Sequence, residues 1–483
     1  MEIINNKLVQ LLESFTPKEI EQFAKFISSP YITEGRNYTP FLEHILKKKE
    51  MNGSRKISEP VTEITGARLS RQTLKNRYSE LYKLGEEFLA HKWLKENNSQ
   101  RDMIVLEKLH EKKLMSLFRS KYRETLRTQK SKKLAVPVLK ELSEIYEING
   151  TYLLDMNKND IIYDEYYEKS VINLCYHLIT IFENGIEFLQ QESENIKYDP
   201  NYVAAYLKTL NIENFMKGFI NSDKTIMKLV AMNYNLYMAF SHPEDENFYQ
   251  TTHKIFTEIN DQLADSYKIY LFIYLINYCI KKYNAGDLSY IQELFKLYNE
   301  KLGQNLVSDL KNSSYSFNHF RDYVFIGLQI KDFDWVGNFI KQYSEYLPDN
   351  LKEDEVKLSY AKLEFEKKNF ERSLSFLNDV RASQYLLYID TAVYKLYNYY
   401  ELGEFEESYA VMTNLKNYFK NNKDIPRIHH IRNLNFLKIY LRLIKYRTGF
   451  KKEDAGLIKR DFQMIDQTTG KNWLGDKINE IIN

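Results

Sequence analysis

The fold is decided by the stretch Leu396-Tyr397-Asn398-Tyr399-Tyr400-Glu401-Leu402-Gly403-Glu404-Phe405-Glu406-Glu407-Ser408-Tyr409-Ala410-Val411-Met412-Thr413-Asn414-Leu415. A polar turn, Gly403-Glu404, stands at its centre. Apolar or small residues follow at offsets of 0, 3, 7 and 10 from Phe405, and apolar residues precede Phe405 by five and nine positions. Because such spacings place side chains on one face of a helix, the stretch predicts a helix, a tight turn and a second helix with their apolar faces opposed.

The same arrangement recurs three times upstream. The turns are Gly286-Asp287, Lys331-Asp332 and Lys368-Asn369, so the residues that follow the four turns are 45, 37 and 35 positions apart. The residues at offsets 0, 3, 7 and 10 are Leu288/Ile291/Phe295/Tyr298, Phe333/Val336/Ile340/Tyr343, Phe370/Ser373/Leu377/Val380 and Phe405/Ser408/Met412/Leu415. The residues five positions before each set are Tyr283, Leu328, Phe365 and Tyr400, and those nine positions before are Cys279, Val324, Ala361 and Leu396. Weaker units begin at Phe248 and at Phe450, whose set continues to Leu457, and Pro348 and Pro426 fall between units, where a helix must stop. Four hairpins are therefore predicted from about residue 275 to about residue 420.

This pattern resembles the tetratricopeptide repeat, whose period is about 34 residues. The runs Leu402-Gly403…Phe405…Ser408 and Glu366-Lys367-Lys368-Asn369-Phe370 resemble its turn region most closely, and the resemblance covers about residues 230–465. It implies an all-α fold, an α-solenoid of stacked antiparallel helical hairpins that leaves a groove for a partner. Ile291 and Val336 stand where that repeat has a small residue, so no peptide-binding residue is carried over.

The N-terminal portion is predicted to be a separate helical domain, residues 1–98, followed by the repeat region, residues 99–483, which is clearest at 270–420. Thr16 is predicted to cap a helix that has Pro17 at its first position and Glu19 three residues after the cap. A later helix, ending near Trp93, places Leu74, Tyr78, Leu81, Gly85 and Phe88 on one face. Further helices are predicted at about 41–50, 102–128, 134–158, 160–190 and 200–220.

Two segments of this portion are similar to uncharacterised helical proteins of the Bacteroidota. They are Phe26-Ile27-Ser28-Ser29-Pro30-Tyr31 and the run from Tyr78 to Leu84 that leads to Glu87-Phe88-Leu89. The similarity implies no activity.

The composition agrees with long helices and short connections. The 483 residues include only 16 Gly and 9 Pro, which a β-rich chain would need at its turns. The N-terminus lacks the pattern of a signal peptide. The longest apolar run, residues 269–280, is too short to cross a membrane, so it predicts a helix buried between neighbours. The two cysteines, Cys175 and Cys279, are predicted to be buried thiols in a reducing, cytoplasmic setting.

The net charge of +2 conceals a segregation of charge along the chain. Residues 1–140 carry a net charge of +11, residues 141–425 a net charge of −15, and residues 426–483 a net charge of +6. The basic N-terminal region could attract nucleic acid, an acidic protein or the chain's own acidic middle.

The motifs of known chemistry do not occur. The sequence has no phosphate-binding loop, no dinucleotide-binding glycine motif, no zinc-protease helix and no nucleophile elbow. His429 and His430 point about 100° apart on a helix, so a shared metal is not predicted. Asp332-Phe333-Asp334 is assigned to a repeat turn, and Glu353-Asp354-Glu355 to a helix start, where negative charge is favourable. Neither catalytic residues nor cofactor or metal ligands are predicted.

The sequence therefore predicts a non-enzymatic scaffold that binds a protein or peptide partner, and an acidic groove would prefer a basic or extended peptide. The alternative is a nucleic-acid-binding regulator with the repeats as a sensor. In that hypothesis the segment from Gly66 to Tyr82 forms a turn and a recognition helix. Its candidate contact residues are Arg68, Arg71, Gln72, Lys75 and Asn76.

Overall fold

The computed structural model describes residues 7–33, 35–51, 63–64, 67–68, 71–193, 199, 201–209, 212–307, 316–381, 384–449 and 454–482. The described chain is all-α apart from one antiparallel pair of two-residue strands, in which Glu63 lies opposite Arg68. The chain divides into two compact units, residues 1–181 and 182–483. The boundary predicted near residue 98 lies between two helices of the first unit.

The first unit is built from helices that meet in local apolar clusters. The elements are α1 (Lys7–Ser14), α2 (Pro17–Ile27), α3 (Pro30–Thr33), α4 (Thr39–Met51), β1 (Glu63–Ile64), β2 (Ala67–Arg68), α5 (Arg71–Glu96), α6 (Asn98–Glu111), α7 (Met115–Lys130), α8 (Val136–Asp155) and α9 (Asn159–Ser193), which continues into the second unit. The predicted apolar face of α5 is confirmed, because Leu74, Tyr78, Leu81, Gly85 and Phe88 are all buried. The predicted cap of α2 is also confirmed: Thr16 Oγ1 accepts the N–H of Glu19 (3.3 Å), and Glu19 Oε2 accepts the N–H of Thr16 (2.8 Å).

The second unit begins with two short helices, α10 (Tyr202–Thr209) and α11 (Ile212–Ile220), and continues as helical hairpins. The hairpins, each written as first helix and second helix, are hairpin 1 (Thr225–Ser241, Glu246–Ile259), hairpin 2 (Asp265–Asn284, Tyr290–Gly303), hairpin 3 (Ser316–Ile330, Phe333–Tyr343), hairpin 4 (Asp349–Glu366, Phe370–Asn378), hairpin 5 (Tyr385–Leu402, Phe405–Asn421) and hairpin 6 (Arg427–Thr448, Ala455–Gln463), followed by the C-terminal helix Lys471–Ile482. Short 3-10 turns, Asn260–Gln262 and Ser344–Tyr346, follow two of the second helices.

The helices of the second unit pack in a repeated pattern. The two helices of each hairpin contact each other, and from hairpin 2 to hairpin 5 the second helix also packs against the first helix of the next hairpin. The first helices of hairpins 3, 4 and 5 contact one another in turn. The first helices of hairpins 4 and 5 are therefore covered on more than one side, and nine of the 18 residues of each are buried.

The four predicted turns share one backbone feature. A residue in the left-handed region ends each first helix: Gly286 (φ 106°), Lys331 (φ 62°), Lys368 (φ 64°) and Gly403 (φ 79°). The same conformation breaks a helix that was predicted to be continuous over 102–128. There, Lys113 (φ 58°) separates α6 from α7, and no glycine or proline marks the break.

The predicted hairpin faces are correct for hairpins 3 and 5 and, apart from Val380, for hairpin 4, whose second helix ends at Asn378; they are wrong in detail for hairpin 2. Val336, Ile340, Ser373, Leu377, Ser408 and Met412 are all buried. In hairpin 2, however, Leu288 is 66% exposed, and the buried face runs through Tyr290, Leu294 and Leu297. The reason is a longer turn: Asp287 Oδ1 accepts the N–H of Ser289 (3.2 Å), and the helix begins only at Tyr290.

The weaker sixth unit is also corrected. Leu457 is 44% exposed, and its neighbour Ile458 is fully buried. Phe450 lies outside the described residues. In hairpin 4 the first helix begins at Asp349, so Glu353, Asp354 and Glu355 stand in its second turn rather than at its start.

The apolar run 269–280 lies within the first helix of hairpin 2, where Leu271, Phe272 and Leu275 are fully buried. The prediction of a helix enclosed by its neighbours is thus confirmed. Both cysteines are buried and neither is in a disulfide, and burial raises the pKa of the Cys175 thiol to about 11 and that of the Cys279 thiol to about 12. Within the ranges given above, no helix is long and apolar enough to cross a membrane.

Candidate interaction surfaces

The residues predicted to contact nucleic acid lie at the start of α5. Arg68 belongs to β2 and Arg71 is the first residue of α5, and the side chains of both lie outside the described part of the chain. Gln72, Lys75 and Asn76 are exposed, and Gln72 Nε2 donates a hydrogen bond to Asn76 Oδ1 (3.0 Å). Three polar side chains are therefore available on the first two turns, and contact with nucleic acid there stays a prediction.

A charged ladder crosses the first helices of hairpins 3, 4 and 5. Arg321 reaches Glu355 Oε2 through Nε and Nη2 (2.9 Å each) and approaches Asp390 Oδ2 through Nη1 (3.4 Å). Lys362 Nζ donates to the same Asp390 oxygen (2.9 Å) and lies 5.4 Å from the centre of the Tyr394 ring. The guanidinium of Arg321, on the first helix of hairpin 3, is thus paired with a carboxylate of hairpin 4 and a carboxylate of hairpin 5.

The pKa values along the ladder follow from burial and from these partners. Burial raises the pKa of Glu355, which is fully enclosed, and the Arg321 charge opposes that rise. Burial also acts on Asp390, but the charges of Lys362 and Arg321 outweigh it and lower the pKa of that carboxyl. Removing one partner of so enclosed a pair leaves the other uncompensated, which costs about 3–5 kcal/mol.

Accessible acidic and aromatic side chains stand beside the ladder. Desolvation by the surrounding protein raises the pKa of Asp322 to about 6, although its side chain remains exposed, and burial raises the pKa of Glu366. A side chain such as Asp322, which is surrounded by protein atoms and yet reached by solvent, is typical of a concave surface. Phe325, one turn from Arg321 and Asp322, is 48% exposed. We call this surface the first-helix strip; it comprises Asp322, Phe325, Lys362, Glu366, Asp390 and Tyr394.

A second recess lies between the second helices of hairpins 1 and 2, with a volume of about 540 Å³. Its wall contains Tyr249, whose hydroxyl donates to Glu293 Oε1 (2.9 Å), and His253, whose Nε2 lies 3.0 Å from Glu300 Oε2. Burial raises the pKa of Tyr249 far above its ordinary value. Lys296 approaches Glu293 and Glu300 (3.9 and 4.0 Å), so the acidic groups of this recess are already matched by basic ones.

Glu183, a half-buried acid of the second unit, was not predicted to have a special environment. Glu183 Oε1 accepts a hydrogen bond from the Tyr267 hydroxyl (3.3 Å), which is also bonded to Asn233. Burial raises the pKa of Glu183 to about 7. The sequence offered no signal, because Glu183 pairs with residues more than 40 positions away.

His429, His430 and Asp332 make contacts other than metal coordination. The His429 ring packs against Tyr385 (5.6 Å between centroids), and the His430 ring packs against Phe419 (4.8 Å). Asp332 caps the second helix of hairpin 3, where its Oδ1 accepts the N–H of Trp335 (3.0 Å). Among the described side chains, no group of three or more His, Cys, Asp and Glu is arranged to hold a metal ion.

Comparisons with family models, with curated proteins and with solved structures find no match to this chain. The resemblances to the tetratricopeptide repeat and to helical proteins of the Bacteroidota therefore stay predictions.

Proposed function

We propose that hairpins 1 to 6 form a tetratricopeptide-like helical-repeat solenoid, and that the chain is a non-enzymatic scaffold for a basic, extended segment of a partner protein. The first-helix strip carries this proposal. It offers the exposed carboxylate of Asp322 and the half-buried carboxylate of Glu366 beside the exposed ring of Phe325 and the half-buried ring of Tyr394, on helices that pack in sequence order. A cytoplasmic location, which free thiols such as Cys279 favour, belongs to the same proposal.

The chemistry of the strip suits a lysine- or arginine-containing peptide. Crowding by protein strengthens the attraction between a carboxylate and a cation, because less water screens the pair. The exposed ring of Phe325 can attract the same cations through its face and pack against their methylene stems. The ion pairs of Arg321 and Lys362 join the first helices of hairpins 3, 4 and 5, so little ordering of these helices is needed on binding.

The proposal is tested with the full chain and two fluorescent 15-residue peptides of alternating residues, one of lysine and alanine and one of glutamate and alanine. We expect the lysine peptide to bind more tightly, and Asp322→Lys to weaken it at least fivefold. The matched control is Asp334→Lys, an exposed aspartate on the second helix of the same hairpin, which should leave binding unchanged. Equal binding of the two peptides, or equal losses in the two variants, would refute the proposal.

A photo-crosslinking arm localises the contact independently. Benzoylphenylalanine in place of Phe325 should link the lysine peptide, whereas the same group in place of the exposed Leu288 should not. Crosslinking from position 288 alone would place the binding surface elsewhere.

A further inference from the structure

Four basic side chains form a line along α7 in the first unit. Arg119, Arg123, Arg127 and Lys130 are all exposed, and they follow one another at intervals of four, four and three residues. At 100° per residue these positions fall within about 80° of arc, and the line is about 16 Å long. We call this line the α7 basic stripe.

The stripe stands in an almost purely basic segment. Residues 112–133 contain nine lysines and arginines and a single acid, Glu124. Glu124 lies beside Lys121 (3.6 Å), which is itself paired with Asp102 (2.9 Å). The acid therefore does not neutralise the stripe.

The stripe side chains are available to a ligand. Arg123 and Arg127 form no ion pair with any described side chain. Arg119 donates from Nε to the Tyr152 hydroxyl (2.6 Å), and Lys130 lies 5.5 Å from the centre of the Tyr146 ring. These two contacts orient the cations. Glu165 and Glu168 of α9 also act electrostatically on Lys130, so the uncompensated charge of the stripe is mainly that of Arg123 and Arg127.

We propose that the α7 basic stripe binds the phosphate backbone of a nucleic acid. Each strand of a duplex carries one phosphate per 3.4 Å, so about five phosphates of one strand match the length of the stripe. Guanidinium groups bind phosphate oxygens in pairs, and a hydroxyl such as that of the exposed Ser120, about 60° from the middle of the stripe, is a common additional donor.

An anionic membrane surface is the less favoured ligand. A helix that binds in the membrane interface inserts an apolar face below its basic residues. The apolar face of α7 is already used, because Phe118 is fully buried and stacks on Tyr152 (4.2 Å between centroids). The exposed Leu117 points about 120° from the middle of the stripe.

This inference does not depend on the proposed scaffold function, because it rests on a different unit of the chain. It also differs from the nucleic-acid hypothesis for residues 68–76, which places the contact at the start of α5. The two sites can be told apart by substitution.

The experiment measures fluorescence anisotropy of the full chain with a labelled 30-nucleotide single-stranded DNA, the matching RNA and the matching duplex, from 50 to 300 mM NaCl. We expect binding that weakens steeply with salt, with a log–log slope of about −3 to −4 for four phosphate contacts. Arg123→Gln with Arg127→Gln should reduce the slope by about 2 and the affinity at 50 mM NaCl at least tenfold. The three probes show which kind of strand is preferred.

The matched control is Lys83→Gln with Lys95→Gln, which removes the same charge from exposed positions of α5. It should change the affinity less than twofold. The proposal is overturned if the unaltered chain binds none of the probes at 50 mM NaCl, or if the two double variants lose equal affinity. It is likewise overturned if phosphatidylserine vesicles, but no nucleic acid, bind in an Arg123- and Arg127-dependent way.

Discussion

Lys331 and Lys368 hold a backbone conformation that side chains rarely adopt. Both have a positive φ, at turns where Gly286 and Gly403 serve the same purpose in neighbouring hairpins. A side chain in this region costs about 1–2 kcal/mol, whereas glycine is free of that cost but loses more entropy on folding.

We expect Lys368→Gly to raise the free energy of unfolding by about 0.5 kcal/mol, as measured by urea titration. The preceding Lys367 has an ordinary helical φ of −75°, so Lys367→Gly should lower stability by about the same amount or more. A loss of stability in both variants would show that the turn does not strain Lys368.

Glu183 binds its proton more tightly in the folded state than in the unfolded state. Because its folded pKa, about 7, lies above its ordinary value of 4.5, the folded state keeps a proton that the unfolded state releases. Stability should therefore fall as the pH rises from about 5 to about 7. Glu183→Gln removes the free-energy cost of ionising this side chain in the folded protein. The stability of the variant relative to the unaltered chain should therefore increase by about 1 to 2 kcal/mol between pH 5.5 and pH 8.

Chemical unfolding of both proteins at the two pH values checks this. An advantage that is the same at pH 5.5 and at pH 8 would mean that Glu183 does not titrate in this range.

At the scale of the element, hairpins 3, 4 and 5 each have a small residue between their two helices. Ser373 fills this place in hairpin 4 and donates to the carbonyl of Ala361 (2.8 Å); Ser408 fills it in hairpin 5 and is bonded to the Tyr440 hydroxyl (2.9 Å). Hairpin 3 has the larger Val336 there, and the small residue is instead Gly327 on the facing helix. A Cβ at Gly327 would lie 2.5 Å from Val336 Cγ2.

We expect Gly327→Ala to lower stability by about 1–3 kcal/mol through overpacking. Val336→Ala alone should also lower stability, because it leaves a cavity. The double variant should lose less than the sum of the two, with a coupling of about 1 kcal/mol or more in urea titrations. Additive losses would indicate that the added methyl group collides with Trp335, which is also close to Gly327, rather than with Val336.

At the scale of the whole molecule, the C-terminal helix returns to contact hairpin 5. Trp473 stacks on Tyr397 (4.4 Å), and both Trp473 Nε1 and Lys477 Nζ bond to Glu401 (3.0 Å each). Gly470, which immediately precedes this helix, has a φ of 62° and lies against the Tyr397 hydroxyl, where a Cβ would collide.

We expect Gly470→Ala to cost at least about 1 kcal/mol more than Gly449→Ala in thermal or urea unfolding. Gly449 is the matched control, because its φ is 66° and a Cβ there would meet nothing within 4 Å. Tyr397→Phe should recover part of the Gly470→Ala loss by removing the hydroxyl. Equal losses at the two glycines would mean that the close contact is easily relieved.

The sequence by itself determined the all-α class, the capping of α2 by Thr16, the buried face of α5 and the hairpin faces from Phe333 to Met412, because these depend on helical spacing and on neighbours a few residues apart. The starting point of the second helix in hairpin 2 needed the turn geometry around Asp287, which a template of fixed offsets does not contain.

Only the tertiary structure decided which charges meet. Arg321 with Glu355 and Asp390, Glu183 with Tyr267, and Gly470 against Tyr397 join residues from different helices, and no periodicity encodes such pairs. The tertiary structure likewise decided that Phe118 is enclosed while Arg123 and Arg127 remain exposed. The net charge of a segment follows from its composition, but whether its charged side chains are exposed depends on which face of the helix packs into the core.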